Sequence, residues 1–403
     1  MTGPTTPAPG PIATATAVLR VPGTAGRGAG HRDTLRGVNP AELRAAFPVL
    51  DRLAYLNAGT CGPVPRAAVE AARAELESAA EAGRWTPYFE RLRDLQARHR
   101  AAYAARVGAR PEDIALTTST TDGVARVVAA LGLRRGDEIV TSDEEHPGVY
   151  GPLVAARERL GVRVRAVALA DVADAIGPDT ALVACSHVGW VSGAVAPPAL
   201  AEVVNVPVLL DGAQGAGAVP VDVGALRCAF YAAAGQKWLC GPIGTGLLYV
   251  APEWRERLPP AGPGHVNLGD PHAGLDAVPH GDARAHDASA LPPEASAFAL
   301  AADAVLGAFG WDAVHARTRE LAERLAGALR ERGLTVAPRG ETTLVAWETD
   351  DAPAGRDRLA AAGVVVRDLP GTPLVRASVG AWNDEGDLER LLTALEAGAR
   401  GRG

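Results

Sequence analysis

The period of apolar and polar positions changes along this chain, and the changes mark its elements. From about Arg66 to Gly108, Ala, Leu and Val recur at helical spacing among Arg and Glu, with a break near Gly83 and Pro87. Short apolar runs follow at 114–119, 137–143, 162–169, 180–188, 206–211, 228–235 and 244–250. Helical patterns at 121–132, 147–160 and 197–204 separate most of them. Nearly all-apolar strands alternating with helices predict a mostly parallel sheet covered on both faces, an α/β fold. Residues 258–293, rich in Pro, Gly and His, predict a long irregular connection. Helical sequence resumes from about Glu294 to Arg332. The runs LTVAP, TTLVAWE, VVVRD and PLVRASV, with two intervening helices, then predict a small α+β unit. The Pro, Gly, Ala and Thr content of residues 1–35 predicts a disordered tail.

Composition narrows the function. At 403 residues and 47% hydrophobic, the chain can bury a sizeable core. The net charge is -7 and no basic stripe is interleaved with aromatics, which argues against a nucleic-acid partner. No apolar run approaches the roughly 20 residues that a bilayer span needs, so no membrane association is expected. Cys61, Cys185, Cys228 and Cys240 show neither CxxC pairing nor metal-ligand spacing. That predicts reduced thiols in a cytoplasmic protein and no metal site.

Lysine and arginine together number 40, yet a single one of them, Lys237, is lysine. Either residue serves as a solvated surface charge, but only lysine can supply a neutral primary amine. Lys237 is either a residual surface lysine or a reactive amine. The small residues before it, and Trp238 with a Gly/Pro turn after it, argue against a plain surface role. Other polar residues cluster at predicted carboxyl ends of strands, where open α/β sheets bind ligands. Ser119-Thr120-Thr121-Asp122-Gly123 opens a helix, as an N-cap or as a phosphate nest. Asp211 closes the run VPVLLD, as a cap or as the partner of a ligand cation. His146 is either a capping or surface ring, or one stacked on a flat ligand. A phosphate nest, a carboxylate, an imidazole and a unique lysine at neighbouring strand ends together describe pyridoxal 5′-phosphate (PLP).

The motifs YLNAGTCGPVP, TTSTTDG, EEHPGVYGP, ACSHVGWVSG, VLLDGAQGAG, AGQKWLCGPIGTGLLYV and LVRASVGAWN resemble, in order, signatures of the class V aminotransferase family. The resemblance runs from about residue 53 to 392. It implies a fold-type I PLP enzyme, with a mostly parallel seven-stranded sheet and a smaller C-terminal α+β domain. The implied division is an N-terminal segment 36–56 packing with the small domain, a large PLP-binding domain 57–285 and a small domain 286–398. By the same resemblance, Lys237 is the Schiff-base lysine and Asp211 the partner of the pyridine nitrogen. His146 stacks on the ring and takes part in catalysis, and Gln214 reaches the ring hydroxyl. Thr120, Thr121 and Gln236 lie at the phosphate end, Arg376 clamps the substrate α-carboxylate, and Asn57 lines the substrate loop. A homodimer is also implied, with Ser289 a poorly matching candidate for a contact to the partner's phosphate.

Departures from the family pattern bear on the reaction. Ala234 and Gln236 stand where many relatives have Ser and His, and Trp190 stands where many have Asn. Desulfurases of the family use a thiolate from the C-terminal domain, and this chain has no cysteine after Cys240. Cys61, in the substrate loop, is either a small buried hydrophobe or a reactive thiol. The expected activity is a lyase or an aminotransferase acting on a small or medium amino acid, with epimerisation as the alternative. A non-catalytic PLP sensor would need a DNA-binding region, for which the tail is too short. An aldolase-type lysine without PLP would leave Asp211, His146 and the phosphate nest unexplained.

Overall fold

Asn39 caps the first helix, its side chain accepting from the Glu42 N–H, and sets the chain on the short helix α1 (Pro40–Ala45). This is a computed structural model that describes residues 38–400, without the side chains of 398–400. The tail expected over 1–35 lies outside the described residues. A two-residue strand, β1 (Ala54–Tyr55), precedes the long helices α2 (Arg66–Ala82) and α3 (Thr86–Val107). They part at Gly83, whose φ of 75° closes α2.

The seven apolar runs form β2 (Ile114–Thr117), β3 (Glu138–Ser142), β4 (Arg163–Val167), β5 (Thr180–Ser186), β6 (Val208–Asp211), β7 (Phe230–Ala234) and β8 (Gly246–Val250). They make one sheet in the order β2-β8-β7-β6-β5-β3-β4. Only β8 runs against its neighbours. Between β2 and β3, which lie far apart in that order, runs α4 (Thr120–Ala130); α5 (Pro147–Leu160) follows β3. Residues of β2, β5, β6, β7 and β8 alternate between two apolar clusters, one on each face, as expected of strands buried on both sides. The segment around Asp287 covers the edge strand β2, with the Ala288 N–H donating to the Leu116 carbonyl at 2.8 Å.

A one-turn helix α6 (Val223–Leu226) precedes β7. Beyond the irregular 258–292 stretch come α7 (Pro293–Phe309), α8 (Trp311–Glu331), β9 (Leu344–Glu348), α9 (Ala352–Ala361), β10 (Val364–Val365), β11 (Arg367–Asp368), β12 (Leu374–Ser378) and α10 (Glu385–Arg400). A three-stranded sheet, β11-β12-β9, is the centre of this half. The N-terminal segment joins it: β1 pairs with β10, and the Ser378 N–H donates to the Leu56 carbonyl at 2.7 Å. A core of Phe47, Trp238, Leu306 and Trp382 ties the two sheets together.

Three expected elements differ. The helix over 197–204 is a short 3₁₀ turn, Pro198–Glu202, because two prolines open it and β-branched residues follow. LTVAP contributes only a bridge from Val336 to Trp347, since Pro338 has no N–H to extend the ladder. VVVRD splits at Val366 into β10 and β11, which belong to different sheets. Among the described residues no single helix is long and apolar enough to cross a membrane.

Candidate active site

The carboxyl ends of β3, β5, β6 and β7 carry the site. Lys237 sits three residues beyond β7, in a turn closed by the Cys240 N–H on the Lys237 carbonyl at 3.1 Å. Cys240 takes a left-handed φ of 52°, an uncommon conformation for a side-chain-bearing residue. The loop 57–62 presses on this turn, and the Gly62 N–H donates to the Gln236 carbonyl at 2.8 Å. A Cβ on Gly62 would lie 2.2 Å from the Lys237 carbonyl, so only glycine lets the two loops meet.

Burial pushes the Lys237 amine down to about 8; the Asp211 carboxylate opposes this, while the Arg376 and Arg367 guanidiniums add to it. Asp211 is buried and accepts the Ala213 N–H at 2.8 Å. Burial raises its carboxyl, and Lys237 holds it down. His146 caps α5, with Nδ1 accepting the Gly148 N–H at 3.0 Å. Burial pushes its ring down to about 4, helped by Lys237, Arg367 and Arg376, so it is neutral near pH 7. The Trp190 ring meets it edge to face at 5.1 Å.

The start of α4 forms the end of the site expected to take the phosphate. Ser119 caps α4 through the Asp122 N–H, and the Thr120 hydroxyl lies buried without a partner in the first turn. A cradle with a free hydroxyl at a helix N-terminus suits a phosphate. Thr121 is exposed and faces Gly148, where a Cβ would come within 2.3 Å of its hydroxyl, so the starts of α4 and α5 adjoin. Gln236 keeps its Oε1 buried and unpartnered.

Gln214 is held from two sides of the site. Its Nε2 donates to the Gly59 carbonyl at 2.8 Å and its Oε1 accepts from Trp238 at 2.9 Å. The amide is thus held at both ends, and one Nε2 hydrogen is left for any ligand. Asn57 turns into its own loop, accepting from the Thr60 hydroxyl at 2.8 Å. Cys61 is not the buried hydrophobe weighed above: it is half-buried, and its thiolate form would favour the charged Lys237 amine. Ser289 is exposed.

Arg376, on β12, is fully buried. One of its Nη groups donates to the Trp190 carbonyl, and its Nε has no partner. Gly59 leaves it room: a Cβ there would sit 2.9 Å from Nη2. Pattern reading missed Arg367, which pairs directly across from Arg376 in the β11–β12 hairpin. Its guanidinium lies 5.9 Å from the Trp190 ring and donates to Thr60 at 3.2 Å. No carboxylate among the described residues pairs with either arginine. The turn signal LPGTP at 369–373, set between two β-rich runs, could have placed position 367 opposite 376.

A lysine with a lowered pKa, a buried carboxylate, a neutral ring and a helix-end cradle at a topological switch point define a PLP-dependent enzyme of fold type I. The Aminotransferase class-V family pattern matches residues 54–350, and the chain belongs to that family. Isopenicillin N epimerase of Amycolatopsis lactamdurans is 30% identical over 85% of this chain and 94% of its own. Cysteine desulfurase CsdA of Escherichia coli is 34% identical over 55% of this chain and 60% of its own. Among solved structures, the cystine C–S lyase C-DES with its product cysteine persulfide has a TM-score of 0.79 at 27% identity, covering 87% of this chain and 98% of that one. A C-DES mutant with glycine covalently linked to its PLP gives 0.80 at 28% identity, with the same coverage.

Proposed function

We propose that this chain is a lyase that removes a β or γ leaving group, such as a sulfur group, from an amino acid bearing a second anionic group. Transamination is the neighbouring outcome of the same site. The observation that carries the reading is the cross-strand pair Arg367 and Arg376, whose charges both act on the Lys237 amine and which no carboxylate among the described residues pairs with. A guanidinium recognises a carboxylate with two parallel hydrogen bonds, so one arginine suits the α-carboxylate and the other a distal anion. C-DES, named as a cystine lyase, supports this class. The absence of cysteine beyond Cys240 argues against a thiolate supplied by the C-terminal half.

Bound PLP supplies an aldehyde and an electron-withdrawing ring. Thr120 and the α4 amides would hold its phosphate, Asp211 would keep the ring nitrogen protonated, and the neutral His146 would cover one face. Lys237, poised by burial to lose its proton, would hold the cofactor and then move the proton at the substrate Cα. Arg376 would fix the carboxylate, while Trp190 and the loop 57–62 exclude water.

Product analysis tests the reaction. Ammonia and a keto acid from cystine-like substrates support the lyase, and an aminated cofactor with a keto acid supports transamination. Replacing Lys237 by Ala should abolish turnover and the absorption band of the lysine-bound cofactor. Cys61, beside the amine, favours epimerisation as a second reading by offering another proton-transfer group. Deuterium uptake at Cα with inversion, lost in Cys61→Ser, would establish it. A homodimer belongs to the same proposal: Leu76 of α2, Phe89 of α3 and Trp85 between them stay exposed, and sedimentation equilibrium measures the state.

A further inference from the structure

Glu145 is buried at the end of β3, immediately before His146, and none of the roles above uses it. Its carboxylate accepts three hydrogen bonds: from the Ser142 hydroxyl at 2.5 Å, the Ser186 N–H at 2.7 Å and the Ser186 hydroxyl at 2.6 Å. Ser186 ends β5, so the side chain spans two strands. The recorded register between β3 and β5 stops at Val140–Val183, before either strand reaches its carboxyl end. Beyond that point the carboxylate joins the two ends.

The far side of this link is Asp211. Ser186 is its register partner, and the next residue, His187, donates its N–H to the Asp211 carbonyl at 2.8 Å. A short path therefore runs from His146 through Glu145 and Ser186 to Asp211. Tyr150 braces the near end, its hydroxyl donating to the Ser142 carbonyl at 2.9 Å. A carboxyl group taken out of water is retained only where its hydrogen bonds are made, and here they are made.

We propose that Glu145 is a positioning residue of the cofactor site, fixing the strand end that carries His146 to the strand end beside Asp211. Both groups then meet one ring in a fixed geometry. The carboxyl acts through these neighbours and does not touch the ligand. Burial pushes it up to about 7, with Asp211 adding to the shift and the serine hydrogen bonds opposing it. Protonated or ionised, it still bridges the two serines, and a glutamine of the same size can do so as well.

Glu145→Gln and Glu145→Ala, made in the full chain, separate positioning from plain stability. PLP affinity is read by titrating the visible absorption of the lysine-bound cofactor, and its orientation by visible circular dichroism. The alanine variant should bind PLP about ten-fold or more weakly and lose dichroic intensity, the scale of a lost hydrogen bond to a charged group. It should lower kcat with KM for the amino acid unchanged, and the glutamine variant should restore all three. Ser186→Ala removes one end of the bridge and should shift the same readouts less, which serves if the Glu145→Ala chain fails to fold. Alanine variants with parental PLP affinity and dichroism, differing only in melting temperature, would overturn the proposal. So would a glutamine variant as impaired as alanine. A parent chain showing no visible band with PLP would instead overturn the cofactor assignment.

Discussion

Arg100 and Arg376 are the two buried arginines among the described residues, and they are satisfied in opposite ways. Arg100, on α3, forms a two-pronged pair with Asp287 at 2.9 and 2.7 Å and donates to the Ile114 carbonyl at 2.6 Å. Asp287 in turn accepts the Leu116 N–H at 2.8 Å, so the pair staples the irregular segment to the edge strand. Arg376 has one carbonyl for a partner and faces a second guanidinium. A buried charge without a counter-ion costs several kcal/mol and does not stabilise the fold. Its presence makes sense where the counter-ion is a ligand that comes and goes. Completeness of pairing separates the arginine that builds the protein from the arginine that serves it.

The contrast yields two opposed predictions. Arg100→Met leaves Asp287 part-buried without its hydrogen-bonded guanidinium and should cost about 3–5 kcal/mol of stability, measured by urea denaturation. A loss below about 1 kcal/mol would remove Arg100 from the structural class. Arg376→Met removes an unpaired buried charge, so its stability should match or exceed the parent's. Its kcat/KM should fall about a hundred-fold, near 2.7 kcal/mol, chiefly through KM, while the visible cofactor band persists. Strong destabilisation with intact kinetics would reverse the two roles. Arg367→Gln should raise KM about ten-fold for substrates with a distal carboxylate and leave monoanionic ones nearly unchanged. Equal effects on both kinds would remove the distal site.

The main sheet was legible because most of its strands are apolar on both faces and short, so periodicity and punctuation agreed. The residues at their carboxyl ends followed from the same reading: Asp211 closes a strand, and Thr120 opens a helix. Arg367 was not legible, because its meaning lies in a cross-strand partner and VVVRD read as one strand. The anchoring of Gln214 was not legible for a related reason. The resemblance implies that its amide reaches a ring hydroxyl, and only the fold reveals that Gly59 and Trp238 hold that amide in place. Cys61 fell between readings because its exposure depends on how the loop 57–62 lies on the lysine turn. What escaped the sequence is consistently the identity of a contact partner.

The smallest effect expected is the most informative about how the two halves of the site act on one amine. Only the neutral amine attacks an aldehyde, so the rate at which apo-protein captures PLP should follow the deprotonated fraction of Lys237. With the amine near 8 instead of its ordinary 10.5, the rate should rise with pH to a midpoint near 8. At pH 7 about a tenth of the amine is then neutral, against roughly one part in three thousand for an ordinary lysine. Asp211, from the main sheet, raises this pKa, whereas Arg367, from the C-terminal sheet, lowers it. Asp211→Asn should therefore move the midpoint down and Arg367→Gln should move it up. Stopped-flow absorbance across pH reads both. An unmoved midpoint in both variants would mean that burial alone sets the amine, and that the unpaired guanidiniums act on the substrate without tuning the lysine.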